Sequence, residues 1–171
     1  MSPIDQLLYP KFTNLVKNNI VDYVINNPKV LNALKTFSGL SEEKIRELLA
    51  FGKGPRIIIK QISNPAYWMK EGYTYGYFKY NENPNAINID YKTIQAYEIE
   101  NAWPELEKAW FILLANLIIH ETAHYGAFKI QTLDVIDGPT SMGPHQFDIA
   151  AFGYAALPGN VIDEIVLKNS K

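Results

Sequence analysis

Residues 120 to 124 read His-Glu-Thr-Ala-His, and they follow an apolar run from Trp110 to Ile119. On an α-helix each residue advances by about 100°, so His120 and His124 lie one turn apart on one face, and both imidazoles can reach the same ion. Glu121 lies on the flank of this face, where its carboxylate can hydrogen-bond a metal-bound water and accept its proton. The pentad therefore predicts a zinc centre with His120 and His124 as ligands and Glu121 as general base. The alternative is a chance pentad on a solvated helix.

A catalytic zinc ion takes three protein ligands and leaves one position to water, so a further donor is needed. Asp148 is the preferred third ligand, because it falls where regular helix is expected and a rigid element preorganises a ligand better than a loop does. It could instead be a first-turn helix acid. His145 is the alternative ligand, or a hydrogen-bond donor to a developing oxyanion. Tyr125 and Tyr154 are further oxyanion candidates, although packing is the default for a tyrosine.

Composition limits the kind of protein and the kind of metal site. The chain has 171 residues, enough for one domain over residues 1–171, with a helical part over 1–54 and a sheet plus metal-site part over 55–171. The net charge of -2 gives no electrostatic footprint for nucleic acid. Because there is no cysteine, a metal must be held by imidazole and carboxylate.

The start of the chain has neither the basic segment nor the long apolar segment of a secretory signal, so the compartment stays open. The run ending at Ile119 is too short to span a bilayer, and Asn116 interrupts it, so no membrane span is expected.

Hydrophobic spacing predicts an α+β fold in which helices come first, then a small mixed sheet, the helix of the pentad and C-terminal helices. The predicted helices cover residues 10–27, 28–37, 41–51, 104–126 and 147–157, with a final amphipathic segment over 161–167. The predicted strands cover residues 56–60, 73–80 and 86–90, and the last two form a hairpin. An unpaired edge at Ile87, Asn88 and Ile89 could hydrogen-bond an extended peptide substrate by strand addition.

The pentad on an apolar helix after a small sheet resembles the zincin metallopeptidases, whose active-site helix carries two histidine ligands and a glutamate base. The stretch from Phe147 to Gly153 resembles the third-ligand segments of zincins that use a carboxylate, including the aspzincins. It departs from the aspzincin pattern, because Phe152-Gly153 follows Asp148 one position later than the Tyr-Gly pair of that group.

More widely, the chain is similar to the zincin-like metallopeptidase toxin domains of bacterial polymorphic toxin systems, at residues 9–12, 48–55, 119–121 and 124–126. This resemblance implies an effector domain excised from or carried by a larger secreted bacterial protein, and an immunity or inhibitor protein as partner.

The function expected from these features is hydrolysis of peptide bonds by a zinc-dependent endopeptidase. A rival from another class is a non-catalytic zinc module, structural or for interaction, in which His145 and Asp148 together fill the remaining metal positions. A second rival is a helical interaction domain without metal.

Overall fold

A computed structural model of the chain describes residues 1–62, 74–130 and 145–153. The first part is helical, as predicted, and it adds a short N-terminal helix that the hydrophobic pattern does not reveal. The helices are α1 (Pro3–Leu8), α2 (Pro10–Asn14), a π-helical turn (Leu15–Asn19), α3 (Ile20–Ile25), α4 (Pro28–Ser38) and α5 (Glu42–Leu49). Segment 10–27 is thus helical over almost its whole predicted length, with a π turn inside it.

Local chemistry explains where these helices begin. Ser2 and Asp5 form a capping box at α1, and Asn27 caps α4 by accepting a hydrogen bond from the N–H of Val30. Ser41 caps α5 in the same way, as predicted. The apolar sides of these helices are buried together in the core, where Phe12 is completely inaccessible to solvent.

The sheet contains three strands within the described residues: β1 (Arg56–Lys60), β2 (Gly76–Phe78) and β3 (Ala86–Asp90), in the order β1-β3-β2. Strands β1 and β3 are parallel, whereas β2 and β3 form the predicted antiparallel hairpin pair. The mixed α+β class is therefore confirmed. Strand β2 is much shorter than the predicted segment 73–80, and Tyr73 lies outside the described residues.

The prediction of a free edge at Ile87, Asn88 and Ile89 is wrong. Ile87 to Ile89 pair with β1 on one side and with β2 on the other. All five residues of β3 are buried. Hydrogen bonds to both neighbours leave this strand with no side along which a peptide could add, because it is the centre of the sheet and not its edge.

Two helices follow the sheet and complete the framework of the site. Helix α6 (Tyr91–Ile99) is not apparent from the hydrophobic pattern, although Asp90 caps it through the N–H of Lys92. Helix α7 (Pro104–Lys129) begins at the predicted proline and runs past the pentad. No helix within the described ranges is long and apolar enough to cross a membrane.

Helix α8 (His145–Phe152) packs against α4 and contacts α7. It ends at Phe152, where Gly153 follows with a left-handed φ of 84°, and the rest of the predicted helix, residues 154–157, lies outside the described residues. The predicted segment 161–167 lies outside the described residues. The prediction of one domain over 1–171 remains a prediction.

The C-terminal half of α7 approaches α4 so closely that only glycine fits at position 126. A Cβ atom on Gly126 would lie 2.6 Å from Cδ1 of Leu40 and 2.8 Å from Cβ of Ser38. Both neighbours are buried. The packing of the turn that follows His124 thus depends on the absence of a side chain here.

Gly126→Ala should lower the free energy of unfolding by about 1–3 kcal/mol, because the added methyl group overpacks this contact. The sign is informative, since the same substitution in an unconstrained helix interior gains about 1 kcal/mol. Denaturant unfolding measures the difference. In a Leu40→Ala background the cost of Gly126→Ala should shrink; an unchanged cost would show that Leu40 is not the obstacle.

Candidate metal centre

The two histidines of the pentad converge as the helical spacing predicts. Nε2 of His120 lies 3.1 Å from Nε2 of His124, and the ring centroids are 4.9 Å apart. Two nitrogen ligands at about 2.0–2.1 Å from a tetrahedral zinc ion lie about 3.3 Å apart, so the observed separation suits two ligands of one ion. The pair fits a metal with little rearrangement.

Glu121 is buried beside this pair and is held by the sheet. Glu121 is only 6% exposed. Its Oε2 accepts a hydrogen bond of 2.7 Å from the N–H of Phe78. Strand β2 is tightly packed at Gly76, where a Cβ atom would lie 2.9 Å from the carbonyl oxygen of Asn88 in β3 and 3.1 Å from the side chain of Leu117, one turn before Glu121 on α7. The close approach of β2 thus delivers a backbone donor to the carboxylate.

Asp148 reaches the pair from α8, but on the far side of one ring. Its Oδ1 lies 2.7 Å from Nδ1 of His120, the nitrogen that does not face His124. The carboxylate is buried. Phe147 contributes to this placement, since its ring packs edge-on against His120 at 5.5 Å and against Phe37 of α4 at 5.5 Å.

No three histidine or acidic side chains converge as a complete metal site within residues 1–62, 74–130 and 145–153. The described site therefore contains two converging nitrogen donors and a carboxylate bonded to the back of one of them. That Asp148 is the third ligand stays a prediction, and its observed contact offers a competing role.

The surroundings of the pair separate the pKa values of the two histidines. Burial lowers the pKa of His124 to about 4, and the neighbouring His120 adds to the effect. Burial also acts to lower the pKa of His120, but the hydrogen bond with Asp148 and the charges of Glu121 and Asp148 outweigh it and raise that pKa. Burial raises the pKa of Glu121, against the lowering effects of His120 and the Phe78 N–H.

The remaining predicted site residues are placed only in part. Tyr125 is buried, with its ring edge-on to Phe78 at 5.6 Å and the ammonium of Lys129 at 5.2 Å from its centroid, so its contacts are those of a packed side chain. Its predicted oxyanion role stays untested. His145 begins α8, but its side chain lies outside the described part of the structure, and so does the whole of Tyr154.

Sequence reasoning missed the N–H of Phe78 as part of the site. Nothing in the sequence marks it, because every residue except proline carries the same donor. Only the position of β2 against α7 selects this one.

This combination, a paired-imidazole centre with a buried carboxylate on a helix packed against a small mixed sheet, is suited to a metal-dependent hydrolase. The family described as metallopeptidase toxin 3 matches residues 5–153. The chain therefore belongs to that family, which confirms the predicted resemblance to metallopeptidase toxin domains and implies a hydrolase that uses a metal. No curated protein and no solved structure matched the chain.

In the metal-free protein the two histidines should titrate far apart. As the pH falls, His120 should take its proton first, because its pKa is raised above the ordinary value of a histidine. His124 should stay neutral until about pH 4. NMR titration of the imidazole carbon-bound protons measures both pKa values.

His120→Gln provides the control, because it removes the neighbouring positive charge but not the burial of His124. In that variant the pKa of His124 should rise and yet stay below its ordinary value of about 6.5. If both histidines of the parent protein titrate together near that ordinary value, the described burial and pairing are wrong.

Proposed function

We propose that this domain is a zincin-like, zinc-dependent endopeptidase in which His120 and His124 bind the ion and Glu121 is the general base. The observation that carries the proposal is the buried Glu121 carboxylate, adjacent in sequence to a converging imidazole pair and held by the Phe78 N–H at 2.7 Å. An apolar residue at position 121 would avoid the free-energy cost of burying a carboxylate, so a chemical role accounts for a carboxylate beside two converging imidazoles.

Zinc is the proposed ion because the described donors are imidazole nitrogens. Imidazole suits zinc better than it suits magnesium or calcium, which prefer oxygen ligands. When bound, the ion supplies a Lewis acid that makes water a competent nucleophile near neutral pH.

Glu121 would accept the proton of the attacking water and return it to the leaving amine. Its burial favours this exchange, because a carboxyl group whose pKa is raised toward the working pH can both take and release a proton. The Phe78 N–H keeps Oε2 in place, so the base needs little reorganisation during the reaction.

A peptide substrate is consistent with the way β2 lies beside Glu121. The N–H of Asp90 donates to the carbonyl of Tyr75 at 2.8 Å, and hydrogen-bonded pairs alternate along an antiparallel ladder. The N–H of Phe78 therefore points away from β3, where it meets Glu121. An extended chain that ran along this outer side of β2 would pass the proposed base.

The family membership also supports a role as the toxic part of a larger bacterial protein, with protein as the substrate and an immunity protein as the inhibitor of the domain. A binding role for nucleic acid is not expected, because the net charge of -2 provides no basic surface excess.

Glu121→Gln should slow cleavage of a labelled unfolded protein such as casein by about 10²- to 10⁴-fold, because the amide cannot accept the proton. Zinc binding should persist, since both imidazoles are intact. Fluorescence release measures turnover, and metal analysis after dialysis measures zinc stoichiometry.

Glu105→Gln is the matched control, because it makes the same change at an exposed position on the same helix and should leave turnover unchanged. A Glu121→Gln protein that cleaves as fast as the parent would show that Glu121 is not the base. A parent protein that binds one zinc ion but cleaves nothing would favour the non-catalytic zinc module.

A further inference from the structure

We infer that Asp148 is a positioning residue, which fixes the orientation and tautomer of the metal-binding His120, and that it is not the third metal ligand. This inference rests on the proposed zinc site. It replaces the role that the sequence favoured for this carboxylate.

The two ring nitrogens of His120 have different partners. Nε2 faces His124 at 3.1 Å, whereas Nδ1 is 2.7 Å from Oδ1 of Asp148. The in-plane bonding directions of the two imidazole nitrogens diverge, so a group hydrogen-bonded to Nδ1 does not share an ion bound at Nε2. To become a ligand, Asp148 would have to leave this hydrogen bond and move around the ring.

The contact has a defined chemical effect on the ring. A carboxylate at Nδ1 accepts a hydrogen bond, which selects the neutral tautomer with its proton on Nδ1 and leaves the lone pair of Nε2 facing His124. Metal-binding histidines commonly donate their other N–H to a carboxylate, which orients the ring and increases its basicity as a ligand. The observed arrangement has this form.

Packing holds the carboxylate in this position. Asp148 is 6% exposed, and a buried carboxylate carries a desolvation cost that hydrogen bonds such as the one from His120 must offset. The preceding residue, Phe147, covers the ring of His120 edge-on at 5.5 Å. One turn of α8 therefore contributes both the hydrogen bond to His120 and the apolar contact with its ring.

The inference changes where the third ligand is to be sought. Asp148 no longer supplies it, and no other third donor converges with the pair in the described ranges. His145, the first residue of α8, stays the alternative ligand that was predicted from the sequence.

The test compares Asp148→Asn, Asp148→Ala and the exposed control Gln146→Ala, which lies on the same helix. The first readout uses ¹⁵N imidazole spectra of the metal-free proteins at alkaline pH, where the rings are neutral. His120 should carry its proton on Nδ1 in the parent, in Gln146→Ala and in Asp148→Asn, because the Asn carbonyl still accepts the bond. Asp148→Ala should lose this preference. A proton on Nε2 in the parent would overturn the inference.

The second readout is metal binding, by competition with a chromophoric chelator for zinc and by the absorption spectrum of the cobalt(II) form. Asp148→Ala should lose about 10- to 100-fold in zinc affinity but keep the cobalt spectrum of the parent, because the donor atoms are unchanged. Asp148→Asn should lose less. An altered cobalt spectrum in Asp148→Ala, or loss of zinc binding as complete as in His124→Ala, would make Asp148 a ligand.

The parent protein tests the proposed function, and the Asp148 variants test the positioning role. If the parent itself binds no zinc, the proposed function fails, and the positioning role fails with it. If the parent binds zinc and cleaves substrate while the Asp148 variants behave as ligand-deleted proteins, only the positioning role is wrong.

Discussion

The site depends on one constraint, which is that the ionisable side chains of His120 and Glu121, on a largely buried helix, need partners from other parts of the fold. The helix is covered along most of its length, and Glu121 and the neighbouring His120 lie in its buried stretch. A buried ionisable group without a partner costs several kcal/mol, so each must be matched. Strand β2 provides the partner of Glu121, and α8 provides the partner of His120. Three separate elements therefore meet around one turn of helix.

The sheet contributes to this meeting through its backbone more than through its side chains. Its central strand is hydrogen-bonded on both sides and buried, and it holds β2 in register beside α7. Gly76 allows the strand to lie against Leu117, which brings the Phe78 N–H to the carboxylate. The close packing at Gly126 fixes the same helix against α4 beyond the pentad. The geometry of the centre is thus a consequence of close backbone approaches on both sides of α7.

The charge distribution around the pair is consistent with metal binding and hydrolysis. His124 is held neutral by burial, which suits a ligand because a protonated imidazole cannot bind an ion. Nδ1 of His120 is hydrogen-bonded to the carboxylate of Asp148, and Glu121 is buried close by. Membership in a metallopeptidase toxin family gives this arrangement a chemical context.

The sequence alone determined the class of fold, the helix of the pentad, the pairing of His120 with His124 and the toxin-family resemblance. These features are local, because a spacing of four residues on a helix fixes which side chains share a face whatever the rest of the chain does. Helix α6 escaped detection, since its hydrophobic pattern is weak and its start is marked mainly by a single cap at Asp90.

Only the tertiary structure decided which strand is central, which backbone N–H meets Glu121, and which nitrogen of His120 meets Asp148. Strand order depends on pairing between distant segments, so the pattern around Ile87 and Ile89 could not distinguish an edge from a centre. A carboxylate downstream of the pentad can reach either side of an imidazole, and spacing along the chain does not specify which. The direction from which α8 packs against α7 made that choice.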